Sequence, residues 1–182
     1  LVFAVTLLQG TLHAQDEKTS PVAAALKKAD FAIEQIVAVS DDERTFENSV
    51  GAIDELIVQL RLDTEFLQFM AYVSPNLELR DLGNKAEQDV RNWMIALSQR
   101  EDLYKAVKTY ADSKPNLQGE QARLLKHSLR DYRRAGMQLV KQDREKLKSL
   151  KMEITKLSME FEKTIREDET RVPLTREELK GM

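Results

Sequence analysis

The sequence predicts an all-α protein, an elongated bundle of about six amphipathic helices. Three observations carry this. Apolar residues recur at three- and four-residue spacing along most of the chain after Ser20. No segment alternates with period two for long enough to make a strand. Pro21, Pro75, Pro115 and Pro173 all fall at the edges of the periodic segments, where a missing backbone N–H does least harm.

Each element has its own signals. Ser20-Pro21 reads as an N-cap followed by proline at the first helical position, and a first helix runs to about Val39. The stretch SDDER then makes a turn. Thr45 is expected to cap a second helix, with Glu47 favourably placed in its first turn. Its stripe is Phe46, Val50, Ile53, Ile57 and Leu60, and it continues to Tyr72. Ser74-Pro75 repeats the cap-then-proline device and opens a third helix, lined by Leu79, Leu82, Ala86, Val90, Trp93 and Leu97. A short fourth helix spans about Arg100 to Ala111. DSKPN breaks the chain, and Pro115 or Asn116 opens a fifth helix carrying Leu124, Leu125, Leu129 and Tyr132, which stops at Gly136. The last helix runs from about Gln142 to Asp168. Leu147, Leu150, Ile154, Leu157 and Phe161 lie on it at coiled-coil spacing. It has under three heptads, so a helix packed into the bundle is expected there.

Composition bounds the function. With 182 residues and 42% apolar content the chain is long enough to bury a core. It has no cysteine, which excludes disulfides, thiol nucleophiles and cysteine-based zinc sites. Residues 41–102 hold 14 acidic and 6 basic side chains, and residues 120–163 hold 7 acidic and 12 basic. Facing one another within a bundle, these segments compensate. Arg130, Arg133 and Arg134 form a basic cluster, but no aromatic residues interleave with it as single-strand binding requires, so no nucleic-acid partner is expected. Residues 1–15 contain no Asp, Glu, Lys or Arg. Leu1 to Leu8 reads as the apolar core of a secretory signal peptide truncated at its start, with cleavage after Ala14 and export to the periplasm or beyond the cell. The alternative is a buried N-terminal helix. That stretch is too short to span a bilayer, and no other segment is suited to one.

The sequence offers no chemistry of its own. The only histidines are His13, which leaves with the leader, and His127. His127 and Asp131 stand four apart on one helix face, yet zinc takes at least three protein ligands. H-E-x-x-H, a glycine-rich phosphate loop and G-x-S-x-G are all missing, and no carboxylate pair stands out for acid–base work. The expectation is that no catalytic, cofactor-binding or metal-binding residue lies in this chain.

The order of segments is informative. RTFENSVGAIDEL, VSPNLELRD, REDLYKAV, YRRAGMQLVKQDREKLKSLKMEITKLSMEFEK and VPLTREELKG together resemble the N-terminal part of the thimet oligopeptidase, neurolysin and oligopeptidase A family of zinc metallopeptidases. Arg44 departs from the Trp often found there, and Thr164 from a common Asn. The resemblance implies an almost wholly helical, channel-shaped peptidase acting on short peptides. This chain would form part of the channel wall and restrict substrate size. It also implies a zinc site held elsewhere by H-E-x-x-H and a further Glu, with the motif's Glu as general base to a zinc-bound water. Such a protein is expected to be a monomer when complete.

The end of the sequence fits that expectation. Thr175 and Glu178 form a capping box, with Leu174 and Leu179 as a hydrophobic staple, yet only Lys180, Gly181 and Met182 follow. A helix this short does not sustain itself, so residues 16–182 are expected to be an incomplete helical domain whose catalytic domain lies beyond. Such a piece is expected to expose apolar surface. The competing expectation is a self-contained, exported, non-catalytic bundle that binds a partner and unfolds cooperatively on its own.

Overall fold

The computed structural model describes residues 20–171, 173 and 180. Six α-helices follow one another: α1 (Pro21–Ala38), α2 (Val50–Val73), α3 (Leu77–Leu97), α4 (Glu101–Asp112), α5 (Gly119–Arg134) and α6 (Lys141–Arg166). A single 3-10 turn, Asp41–Glu43, separates α1 from α2. No strand occurs among the described residues, so the all-α class and the helix number agree with the sequence. The leader, His13 and the Thr175 capping box lie outside the described residues.

The core gathers where α1, α2, α4 and α5 meet. From α1 come Val22, Ala25, Ala29, Ile33 and Ile36, spaced 3-4-4-3 as one helix face requires. Val50, Leu56 and Leu60 of α2 face them, and α4 adds Leu103 and Val107, both fully buried. Tyr132 of α5 closes one side, its ring tilted against Tyr104 with centroids 5.5 Å apart. Burial pushes the Tyr132 phenol up to about 12, with the Asp102 carboxylate adding to the effect, so it stays neutral at physiological pH. Arg100 ties this layer to α1: its guanidinium donates to Glu34 at 2.9 Å and to Asp102 at 2.9 Å.

Several helix ends fall where the sequence places them. The Ser20 hydroxyl accepts from the Ala23 N–H at 3.1 Å, with Pro21 as the first helical residue. At the end of α5, Gly136 has φ +95°. Its N–H reaches the Arg133 carbonyl and the Met137 N–H reaches that of Tyr132, the paired bonds of a Schellman motif.

Three expected starts are displaced. Thr45 does not open α2. Its hydroxyl accepts from the Asn48 N–H at 3.3 Å, and the Asn48 side chain accepts from the Thr45 N–H at 2.8 Å. This reciprocal pair closes a separate turn, and α2 begins only at Val50, so Glu47 lies outside its first turn. Ser74 ends α2 rather than opening α3, which is capped by Asn76 accepting from the Leu79 N–H at 3.1 Å. Pro115 and Asn116 stay in the connection, and α5 starts at Gly119.

Two residues fix how the layers meet. Arg44, the departure from Trp, donates to the carbonyls of Ile36 at 3.2 Å, Val37 at 3.3 Å and Val39 at 2.7 Å, and to Asp41 at 3.0 Å. It therefore satisfies carbonyls that the end of α1 leaves without helical partners. Gly83 lets α3 press against α2: an added Cβ there lies 2.6 Å from both the Ala71 nitrogen and the Leu67 oxygen.

Candidate functional site: an apolar helix face turned outward

Helix α6 lies along α3 and runs antiparallel to it. Arg144, near its start, pairs with Glu101 just beyond the end of α3, while Lys163, near its end, reaches Asp81 at 2.7 Å near the start of α3. These bridges join the basic segment to the acidic one, as the charge pattern anticipates. All involve substantially exposed carboxylates, so they orient the helix more than they stabilise it.

The surprise is which face α6 turns inward. Its half-buried positions include Lys148, Met152, Thr155, Met159, Glu162 and Arg166, a 4-3-4-3-4 stripe that is mostly polar or methionine. The apolar stripe points away: Leu150 is 46% exposed, Ile154 62%, Leu157 56%, Phe161 67% and Ile165 60%. No residue of α6 is buried. The expectation of a helix packed into the bundle by its Leu-Ile-Phe stripe is therefore overturned. Of that stripe only Leu147 is half-buried, beside Gly136. Charge pairing with α3 fixes the helix's rotation and leaves the hydrophobic face free. Covering those five side chains is worth on the order of 5 kcal/mol.

Helix α2 repeats the arrangement. Val58, Leu62, Phe66, Phe69 and Val73, spaced 4-4-3-4, are all at least half exposed. Sequence reading stops at the inward stripe and misses this second one, although its spacing is visible in the same residues. Leu82, assigned to the inner stripe of α3, is also exposed.

The C-terminal ends of α2 and α6 meet at a polar cluster. The Arg166 guanidinium sits 4.5 Å from the centre of the Tyr72 ring. The buried Glu87 carboxylate accepts from the Tyr72 hydroxyl at 2.9 Å and from Arg91. Burial, then the bond to Glu87, raises the Tyr72 phenol above its ordinary value. Arg166 also donates to the Asn84 side-chain oxygen, while the buried Asn84 Nδ2 has no partner among the described residues. An orphaned buried amide donor of this kind costs about 1–3 kcal/mol. Glu87 and Arg91, four apart, are the one trace of this cluster in the sequence.

The remaining candidates do not converge. His127 and Asp131 share a face of α5, but the Asp131 carboxylate is engaged by Arg130 at 2.9 Å, which foremost holds it below the usual carboxylate range. Among the described residues no three His, Cys, Asp or Glu side chains are placed to hold a metal ion. The described residues thus do not fit a zinc site. Arg133 and Arg134 are exposed near the end of α5. No described helix is long and apolar enough to cross a membrane.

Comparison with known proteins decides the relationship. No family profile matches the chain. A thimet-like oligopeptidase of Dictyostelium discoideum is 35% identical over 161 residues, covering 84% of this chain and 24% of that protein. Over most of its length the chain is similar to members of the thimet oligopeptidase family. A probable thimet oligopeptidase of Arabidopsis thaliana is 29% identical over 81% of the chain, and saccharolysin of Saccharomyces cerevisiae is 28% identical over 75%. The chain spans about a quarter or less of the length of these relatives. Its outward apolar faces belong to a polypeptide whose relatives are several times longer.

Proposed function

We propose that this chain is the N-terminal, non-catalytic helical part of an exported zinc metalloendopeptidase that hydrolyses short peptides. Its helices form a wall that restricts substrate size. The apolar stripes of α6 and α2 pack against the rest of the protein, which holds the zinc ligands on H-E-x-x-H and a further Glu. The complete protein acts as a monomer, and residues 16–182 alone are inactive.

The inverted packing of α6 carries this reading. A helix with Leu150, Ile154, Leu157, Phe161 and Ile165 on its open face makes sense when more polypeptide covers it. The relatives supply the scale of that polypeptide and the peptide substrate class. The self-contained bundle needs a separate partner to cover both stripes.

Sequencing the gene across Met182 tests the reading. The frame is expected to continue and to reach H-E-x-x-H. A stop codon directly after Met182 sinks the proposal. Export is tested separately by N-terminal sequencing of protein recovered from outside the cytoplasm: Gln15 is expected first, and an intact leader refutes it.

A further inference from the structure

Away from α6, a groove of about 870 Å³ opens between α4, α5 and the connection joining them. That is within the size range of ligand pockets, roughly 300–1,000 Å³. Its lining is segregated by chemistry. Tyr104, Leu117, Leu125 and Leu129 are only partly exposed and form an apolar floor. Lys108, Lys114, Lys126, Arg130 and Arg133 surround it, with Asp112 as the one carboxylate in the lining.

Much of this charge is available. Lys114, Lys126 and Arg133 have no carboxylate partner among the described residues. Lys108 is held by Asp112 at 2.5 Å, and Arg130 by Asp131 at 2.9 Å. Both pairs are exposed, so an incoming carboxylate displaces the resident one at little cost. The connection presents Lys114 in a left-handed conformation, φ +53°. Lys126, Arg130 and Arg133 sit at i, i+4 and i+7, one face of α5.

The geometry points to a site for a short, extended acidic peptide. Residues four apart on a helix are separated by about 6 Å along its axis. Alternate residues of an extended chain are about 6.6 Å apart and project to the same side. Carboxylates at every second position of such a strand therefore roughly match the Lys126–Arg130 interval (the Arg130–Arg133 step is shorter, about 4.5 Å), and the apolar floor of Leu117, Leu125 and Leu129 takes hydrocarbon from the same peptide. A lone phosphate leaves that floor unused. Nucleic acid lacks a stacking platform, because Tyr104 already packs on Tyr132. This site stands independently of the peptidase reading, since it requires binding and no cleavage.

Isothermal titration of the 182-residue chain tests it. The probes are an acetylated hexapeptide alternating Glu and Leu, its Gln-Leu counterpart and inorganic phosphate. The acidic peptide is expected to bind, and to bind about tenfold or more weakly when salt rises from about 0.02 M to about 0.5 M. The K126Q/R133Q variant, both positions exposed and outside the core, is expected to retain its circular dichroism and bind about tenfold more weakly. K114Q, in the connection, is a second variant with a smaller loss expected. Equal binding of the Gln-Leu peptide overturns the proposal, as does undiminished affinity in folded K126Q/R133Q. Phosphate binding as tightly as the acidic peptide overturns the assignment to a peptide. Absence of any binding to the wild-type chain also refutes it.

Discussion

Substituting Gly83 with alanine sets two effects against each other where α3 meets α2. The new Cβ lies 2.6 Å from the Ala71 nitrogen, 2.6 Å from the Leu67 oxygen and 3.0 Å from the Ala71 Cα. Ordinary contact begins at 3.4 Å, so the helices must part locally by 3.4 − 2.6 = 0.8 Å. Every atom met is backbone, and none can rotate aside. Overpacking of this kind costs about 1–3 kcal/mol. Alanine returns about 1 kcal/mol through its better helix propensity. With three backbone atoms met at once the clash takes the upper part of that range, about 2–3 kcal/mol, and wins, for a net loss of about 1–2 kcal/mol. In a chain of this size that lowers the melting temperature by about 2–8 °C. Thermal and urea unfolding followed by far-ultraviolet circular dichroism measures it. An unchanged or raised melting temperature refutes the tight α2–α3 contact.

Arg44→Met leaves the end of α1 without its charged donor and should cost about 2–3 kcal/mol in urea unfolding, with Arg44→Lys recovering only part, because an ammonium cannot span three carbonyls as a guanidinium does. Equal stability of the Met variant contradicts the capping role. Asp102 gives a pH dependence. Arg100 foremost holds its carboxyl below the usual range, so it stabilises the fold above its unfolded value and loses that contribution as pH falls through its depressed folded value. Its side chain is 40% exposed, so after solvent screening the effect is under about 1 kcal/mol. Asp102→Asn should flatten the acid limb of the stability profile below about pH 4, and an identical acid limb counts against it.

The helices themselves were legible because their cores obey simple periodicity. Ala25, Ala29, Ile33 and Ile36 can be read from spacing alone, and Gly136 announces its Schellman turn. Starts were less legible where two polar residues compete for one role. Ser74 and Asn76 are both good caps, and which helix each serves depends on how α2 closes. The rotation of α6 was not legible at all. Its apolar stripe says that something packs there, but only three-dimensional charge pairing with Asp81 and Glu101 shows that α3 takes the opposite face. The groove was equally hidden, since Lys108 and Lys114 join the α5 cations only through packing of α4 on α5.

The central claim is that the outward stripe of α6 is a docking face for further polypeptide. Hydrogen–deuterium exchange and apolar-dye binding, compared between residues 16–182 alone and the proposed longer protein, test it most directly. The account predicts that the isolated piece binds dye and self-associates, that Leu157→Lys with Phe161→Lys suppresses both without loss of helix, and that α6 amides become protected in the complete protein. An isolated piece that is monodisperse and dye-free, with α6 exchanging identically in both contexts, contradicts it.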